Sequence, residues 1–223
     1  AERAQGAKRL ELLRANQPIL EEAIRRLDEA VTRYWDITPR AESAAYLAAR
    51  THVLAAEWPR MEAQLPDILD AAKRTLHARA KLELETALDG FNSLRKHLAR
   101  REDEHRLPEK EQAMLRNCFL AEADTLREMN RFEEAADTYR AVSLRYMNEP
   151  PALEAILGQA RCAKDLGREQ EAGLLIRRAN VVLKRIPNEW NGKFEETTRF
   201  DRNGWEKLLS WMTKRLDVTT GGV

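Results

Sequence analysis

Few residues in this sequence are spaced for chemistry. Glu102 and His105 stand three apart in a helix-like run, which puts a carboxylate and an imidazole on one face, the local half of a carboxylate-bridged di-iron site. Such a site needs a second pair and two more inward carboxylates. None of the other histidines has a metal-type neighbour, and Glu102 sits in the charged run from Arg100 to Glu104, so a solvated helix end is expected there. Cys118 and Cys162 are the only cysteines, and neither has a partner two to four residues away; two buried thiols are expected. The signatures of nucleotide binding and acyl transfer are missing: no Gly-x-Gly-x-x-Gly, no phosphate loop, no Gly-x-Ser-x-Gly. The nine glycines come together only at Gly221-Gly222. The pattern predicts no catalytic residue, no cofactor and no metal.

A second cluster is aromatic: Trp190, Phe194, Phe200, Trp205 and Trp211. Such a group can form a platform for a peptide or a sugar. The helical spacing of Trp205 with Leu208, Leu209, Met212 and Leu216 instead places it in a core beneath a terminal helix, with Trp211 off that stripe and exposed. Asn203-Gly204-Trp205-Glu206 has the form of a capping box that would start this helix, and Thr219 to Val223 reads as a frayed tail.

The elements that position these residues are helices. Of 223 residues 43% are hydrophobic and 34% charged, and nine glycines with eight prolines leave little material for strand turns, so an all-α fold follows. Formal charge is +1, and division after Leu107 gives 19 basic and 18 acidic residues before it, 19 and 19 after it. Neither half gathers the positive surface that nucleic acid requires, and no nucleic-acid partner is expected. No window reaches the length and apolarity of a membrane span, and no signal peptide is present, so no membrane insertion by this stretch is expected. The chain begins without Met inside helix-like sequence, as a piece of a longer protein does.

Punctuation falls at Pro18, Thr38-Pro39, Pro59, Pro66, Pro108, Pro150-Pro151 and Pro187, with Pro39, Pro108 and Pro151 each reading as a helix start. The apolar stripe from Ile68 through Leu84 and Phe91 to Leu98 fits one helix of about 35 residues or two meeting near His77 to Lys81; a repeat array favours two elements, or one bent there. Repetition is plain. Glu21 to Leu54 laid on Glu133 to Leu166 without a gap, an offset of 112, matches at nine positions, among them Glu21/Glu133, Tyr34/Tyr146, Pro39/Pro151 and Ala48/Ala160. Arg131-Phe132-Glu133-Glu134-Ala135 recurs as Arg168-Glu169-Gln170-Glu171-Ala172, a step of 37, and 112 is close to three such steps.

The waist residues Ala123 and Ala160, the polar turns Asn130-Arg131 and Gly167-Arg168, the openers Ala135 and Ala172, and the packing residues Tyr139 with Val142 and Ile176 with Ala179 resemble two tetratricopeptide repeats. Alanine at a crossing lets antiparallel helices approach closely while the bulky residue fills the gap a turn away. Glu122 and Gln159 stand where that family usually has Leu, and the closing prolines Pro150 and Pro187 come late. The lengthened period is similar to that of bacterial cell-envelope helical-repeat proteins. The resemblance implies a right-handed superhelical array of antiparallel helix pairs, a TPR-like α-solenoid with a C-terminal capping helix. Its expected divisions are 1–107, with degenerate repeats, 108–187, with two TPR-like repeats, and 188–223, with the aromatic connector, capping helix and tail.

In that family the inner helix faces line a concave groove, which here maps to Asn117, Leu120, Asp124 and Arg127, then Glu154, Leu157, Arg161 and Lys164. The implied function is a protein–protein interaction scaffold that binds a partner peptide or helix in this groove, with Leu120 and Leu157 as apolar anchors. The alternative is a structural or oligomerising stalk of a membrane-anchored assembly. The resemblance also leans toward the extracytoplasmic part of a membrane-anchored or secreted bacterial protein.

Overall fold

A computed structural model describes residues 2–35, 39–105 and 107–220. The described residues hold ten α-helices and one 3-10 turn, with no strand among them. They are α1 (Glu2–Ala15), α2 (Gln17–Tyr34), α3 (Pro39–Glu62), α4 (Asp70–Glu104), α5 (Glu109–Glu128), α6 (Phe132–Arg145), α7 (Pro151–Asp165), α8 (Glu169–Arg185), the turn Asn188–Lys193, α9 (Phe194–Thr197) and α10 (Arg202–Thr220). The chain divides within α5 into two compact units, 1–118 and 119–223.

Proline marks most starts. Pro39 and Pro151 open α3 and α7, Pro108 immediately precedes α5, and Pro18 lies in the first turn of α2, where a missing N–H removes no helical bond. Pro59 differs from the sequence expectation: it lies inside α3 rather than between helices. The helix runs only to Glu62, so the lost bond falls in its last turn, and the Pro59 carbonyl still accepts from the Ala63 N–H at 3.0 Å. The stripe from Ile68 to Leu98 lies almost wholly on the single helix α4 of 35 residues, not two elements. A length of about 50 Å follows from its rise per residue.

In the first unit α3 offers alanines (Ala41, Ala48, Ala49, Ala55, Ala56) to Leu84, Ala87, Phe91, Leu94 and Leu98 of α4. Small residues on one helix let the partner's large ones sit close, and a Cβ on Gly90 would lie only 3.0 Å from the Ala49 Cβ. Polar networks close both ends of this pair. At one, Arg79 reaches Glu21 at 2.6 Å and stacks on Trp58, whose Nε1–H donates to Glu62 at 2.9 Å. At the other, buried Glu42 accepts from His97 Nε2 at 2.9 Å and from Arg101, which also pairs with Glu111 at 2.8 Å. Burial works against the Arg101 charge, but the hydrogen bonds and charges of Glu42 and Glu111 outweigh it and hold its pKa above the usual arginine value.

The second unit carries the 37-residue step in its backbone. Asn130 (φ 61°) and Gly167 (φ 74°) both adopt the left-handed conformation. After each, the next N–H reaches back into the preceding helix, Arg131 to the Leu126 carbonyl at 2.9 Å and Arg168 to the Ala163 carbonyl at 2.8 Å. These are two copies of one Schellman turn, so α5 and α7 end, and α6 and α8 begin, 37 residues apart. Ala123, Ala135, Tyr139 and Val142 are buried, as are their counterparts Ala160, Ala172, Ile176 and Ala179.

Leu153, Ile156, Ile176, Leu183, Phe194, Trp205 and Leu209 form one core shared by α7, α8, α9 and α10. Trp205 is 1% exposed and donates its indole N–H to Thr198 Oγ1 at 2.8 Å, while Trp211 is 55% exposed. Phe194 and Trp190 join that core and Phe200 packs edge-on against Trp205, so the aromatic group divides between core and surface. The cap of α10 is Asp201, not Asn203: its carboxylate accepts the Gly204 N–H at 2.7 Å. The helix continues through Thr220, past the expected start of the tail. Thr38, the Leu216 side chain and residues 221–223 lie outside what is described.

Arg202, in the first turn of α10, finishes α8. Its guanidinium donates to the carbonyls of Leu183 (3.0 Å), Ile186 (2.8 Å) and Pro187 (3.0 Å), and to Asn191 Oδ1 at 2.5 Å, over the Phe194 ring. A cation among the unmatched carbonyls of a helix C-terminus satisfies them and complements the helix dipole.

Candidate functional site

Gly158 is where the site begins. A Cβ there would lie 2.4 Å from the Tyr139 ring, so the missing side chain is the space in which Tyr139 of α6 lies against α7. Tyr139 then reaches across to α5, where its hydroxyl donates to the Asp124 carboxylate. Burial, then the charge of Asp124 and this bond, push the Tyr139 pKa well above the usual tyrosine value. On α5, Leu120 and Asp124 share a face one turn apart; on α7, Glu154 and Arg161 do so two turns apart. Together with Tyr139 and residues 196–199 of the connector they line a pocket of about 250 Å³.

The connector is held by Glu154. Its carboxylate accepts the backbone N–H of Arg199 at 3.1 Å and pairs with the Arg199 guanidinium at 3.3 Å. Glu196 is paired outward with Lys193 at 2.9 Å. Arg161, partly buried at the pocket wall, forms no hydrogen bond or ion pair among the described residues. The pocket thus presents a guanidinium in no ion pair among the described residues, a carboxylate with acceptor capacity left at Asp124, and the apolar surface of Leu120, while the hydroxyls of Thr197 and Thr198 are committed to carbonyls of the connector itself.

The eight groove positions read from the sequence separate. Leu120, Asp124, Glu154 and Arg161 come together. Arg127 is engaged by Asp165 at 2.8 Å, at the ends of α5 and α7. Lys164 is exposed beside the following turn, and Asn117 belongs to the first unit. Leu157 is 3% exposed inside the core with Phe194 and Trp205, so it offers no anchor to a partner. Its position on the inner face follows from helical phase; what covers it comes from the later connector and α10. Thr197, Thr198 and Arg199 were not anticipated as site residues, because no helical period marks them.

The other candidates are simpler. Cys162 is buried and its pKa is pushed up to about 11, chiefly by burial, which keeps it a protonated thiol; Cys118 is buried too. His105 is exposed at the end of α4, and no cluster of three or more metal-ligating side chains occurs among the described residues. No described helix is long and apolar enough to cross a membrane.

Comparison with family models, with curated proteins and with solved structures finds no match.

Proposed function

We propose that this chain is a helical-repeat binding module of tetratricopeptide type, whose helix pairs stack as an α-solenoid and whose second unit holds a short extended segment of a partner protein. The observation that carries the reading is the Arg161 guanidinium, in no ion pair among the described residues, beside Leu120 and Asp124 in one pocket. A main-chain carbonyl or carboxylate of the segment meets Arg161, a main-chain N–H meets Asp124, and one modest apolar side chain covers Leu120. A volume near 250 Å³ suits one or two residues and not a whole helix, which narrows the occupant expected from the sequence. The duplicated turn geometry at Asn130 and Gly167 supports the repeat assignment.

The stalk alternative is less well supported. The apolar stripe from Ile68 to Leu98, a surface on which a stalk would pair two copies, is largely buried within the first unit, at Leu84, Phe91, Leu94 and Leu98.

Panning a random-peptide display library against the purified protein tests the reading. Enriched peptides should lose at least about tenfold in affinity to Arg161→Ala and to Leu120→Ala, and nothing to Lys184→Ala on the exposed side of α8. An absence of enrichment, or peptides indifferent to Arg161 and Leu120, would refute it.

A further inference from the structure

A larger cleft, of about 440 Å³, lies in the first unit and is independent of the proposed peptide site. Its floor is α3, where Ala45, Ala48 and Ala49 leave a shallow trough continued by Gly90 of α4. Its walls are α2 and α4. The contacts Arg79 to Glu21 and His97 to Trp35 show that these two helices run in the same direction, while Glu42 to His97 and His52 to Glu83 show that α3 runs against α4.

That topology makes the cleft polar at one end and apolar at the other. The three helices each line it over about two turns, roughly 10 Å. On α2 the lining runs from Asp28 through Val31 to Trp35, on α3 from His52 to Ala45, and on α4 from Thr86 to Ser93 and Leu94. The first-named end holds the Asp28 carboxylate, which forms no hydrogen bond or ion pair among the described residues. It also holds His52, whose Nδ1 lies 2.7 Å from Glu83 Oε2, so that Nε2 is the free edge of the ring. At this end two carboxylates, Asp28 on the cleft wall and Glu83 behind the ring, stand beside one imidazole. The far end is the Trp35 indole and Leu94, with Ser93 as its one hydroxyl.

We propose that this cleft binds a small organic cation: a flat apolar body lying on the alanine floor against Trp35, and an ammonium group at Asp28 and the His52–Glu83 pair. The Trp35 indole suits a flat ring laid against it, and the carboxylate end discriminates against acids of the same shape.

Three indoles of nearly one size separate charge from shape: tryptamine (cation), tryptophol (neutral) and indole-3-acetate (anion). They are titrated into the full chain with ¹³C-labelled alanine methyls. Tryptamine should give saturable shifts at Ala45, Ala48 and Ala49, with an affinity about tenfold above tryptophol and further above indole-3-acetate. Asp28→Asn, an exposed position, should remove most of the amine's advantage while tryptophol binds as before. Ala45→Phe, checked for helicity by circular dichroism, should block all three. The proposal is overturned by no saturable shift at millimolar tryptamine, by equal responses to the three compounds, or by an amine preference that survives Asp28→Asn.

Discussion

Replacing Gly158 with alanine separates helix propensity from tertiary packing at one atom. In an open helix interior the change stabilises by about 1 kcal/mol, because glycine loses more backbone entropy on folding. At Gly158 the new Cβ would meet three atoms of the Tyr139 ring at 2.4, 2.5 and 2.6 Å, well inside ordinary contact. The ring cannot swing aside: Tyr139 is 2% exposed and its hydroxyl is tied to Asp124. Overpacking of this kind costs about 1 to 3 kcal/mol and outweighs the propensity gain. Gly158→Ala should therefore destabilise by up to about 2 kcal/mol in urea denaturation. Gly6→Ala, on α1 with nothing within 4 Å of the new atom, should be neutral or stabilising. In a Tyr139→Leu background the cost at Gly158 should vanish or change sign, a coupling of about 2 kcal/mol in a double-mutant cycle. Additive effects, or Gly158→Ala as stabilising as Gly6→Ala, would refute the proposed contact between α6 and α7.

Trp205→Ala removes a fully buried indole and should cost about 3 to 5 kcal/mol, lowering the Tm by roughly 6 to 20 °C, whereas Trp211→Ala should stay within about 0.5 kcal/mol of the parent. Equal melting of the two variants in calorimetry would sink the capping role of α10. Arg202→Met strips the end of α8 of its donors to three carbonyls and should cost about 1.5 to 3 kcal/mol; Arg202→Lys should recover little, since one ammonium cannot span the same acceptors. Denaturation curves in which Lys equals Arg would argue against the forked geometry. Tyr139, with its pKa raised in the fold, keeps its proton where an unfolded tyrosine near 10 loses it; its contribution is complete below about pH 10 and declines as pH rises beyond it. Tyr139→Phe should lose stability less steeply than the parent above pH 10, by up to about 1.4 kcal/mol per unit, and parallel curves would contradict this.

What the sequence revealed was what short-range physics decides. Ala123, Ala135 and Tyr139 and their partners 37 residues on are packing residues because helical phase and side-chain volume leave them no other role, and they are buried. Pro39 and Pro151 open helices because only a first turn tolerates their missing donor. The misreadings arose where distant segments decide. Asp201 and Asn203 are equally good caps by residue type; starting the helix at Arg202 lets its guanidinium meet the end of α8, an arrangement set by the tertiary fold. Leu157 was placed on the right face of α7, but its covering by Phe194 and Trp205 depends on chain far beyond α7. Pro59 read as a break because its cost in a helix is fixed, whereas its place in the last turn depends on where α3 ends.

The bond between Glu154 and Arg199 joins residues 45 apart, and makes the connector a ligand of its own protein. A group tethered to the face it covers acts at an effective concentration on the order of millimolar, without diffusing to it. Any outside molecule that needs Glu154 must outcompete that tether, whereas one content with Leu120 and Arg161 meets no rival. If the pocket holds a partner segment as proposed, this strap raises the threshold for broad, groove-filling segments and leaves it unchanged for narrow ones.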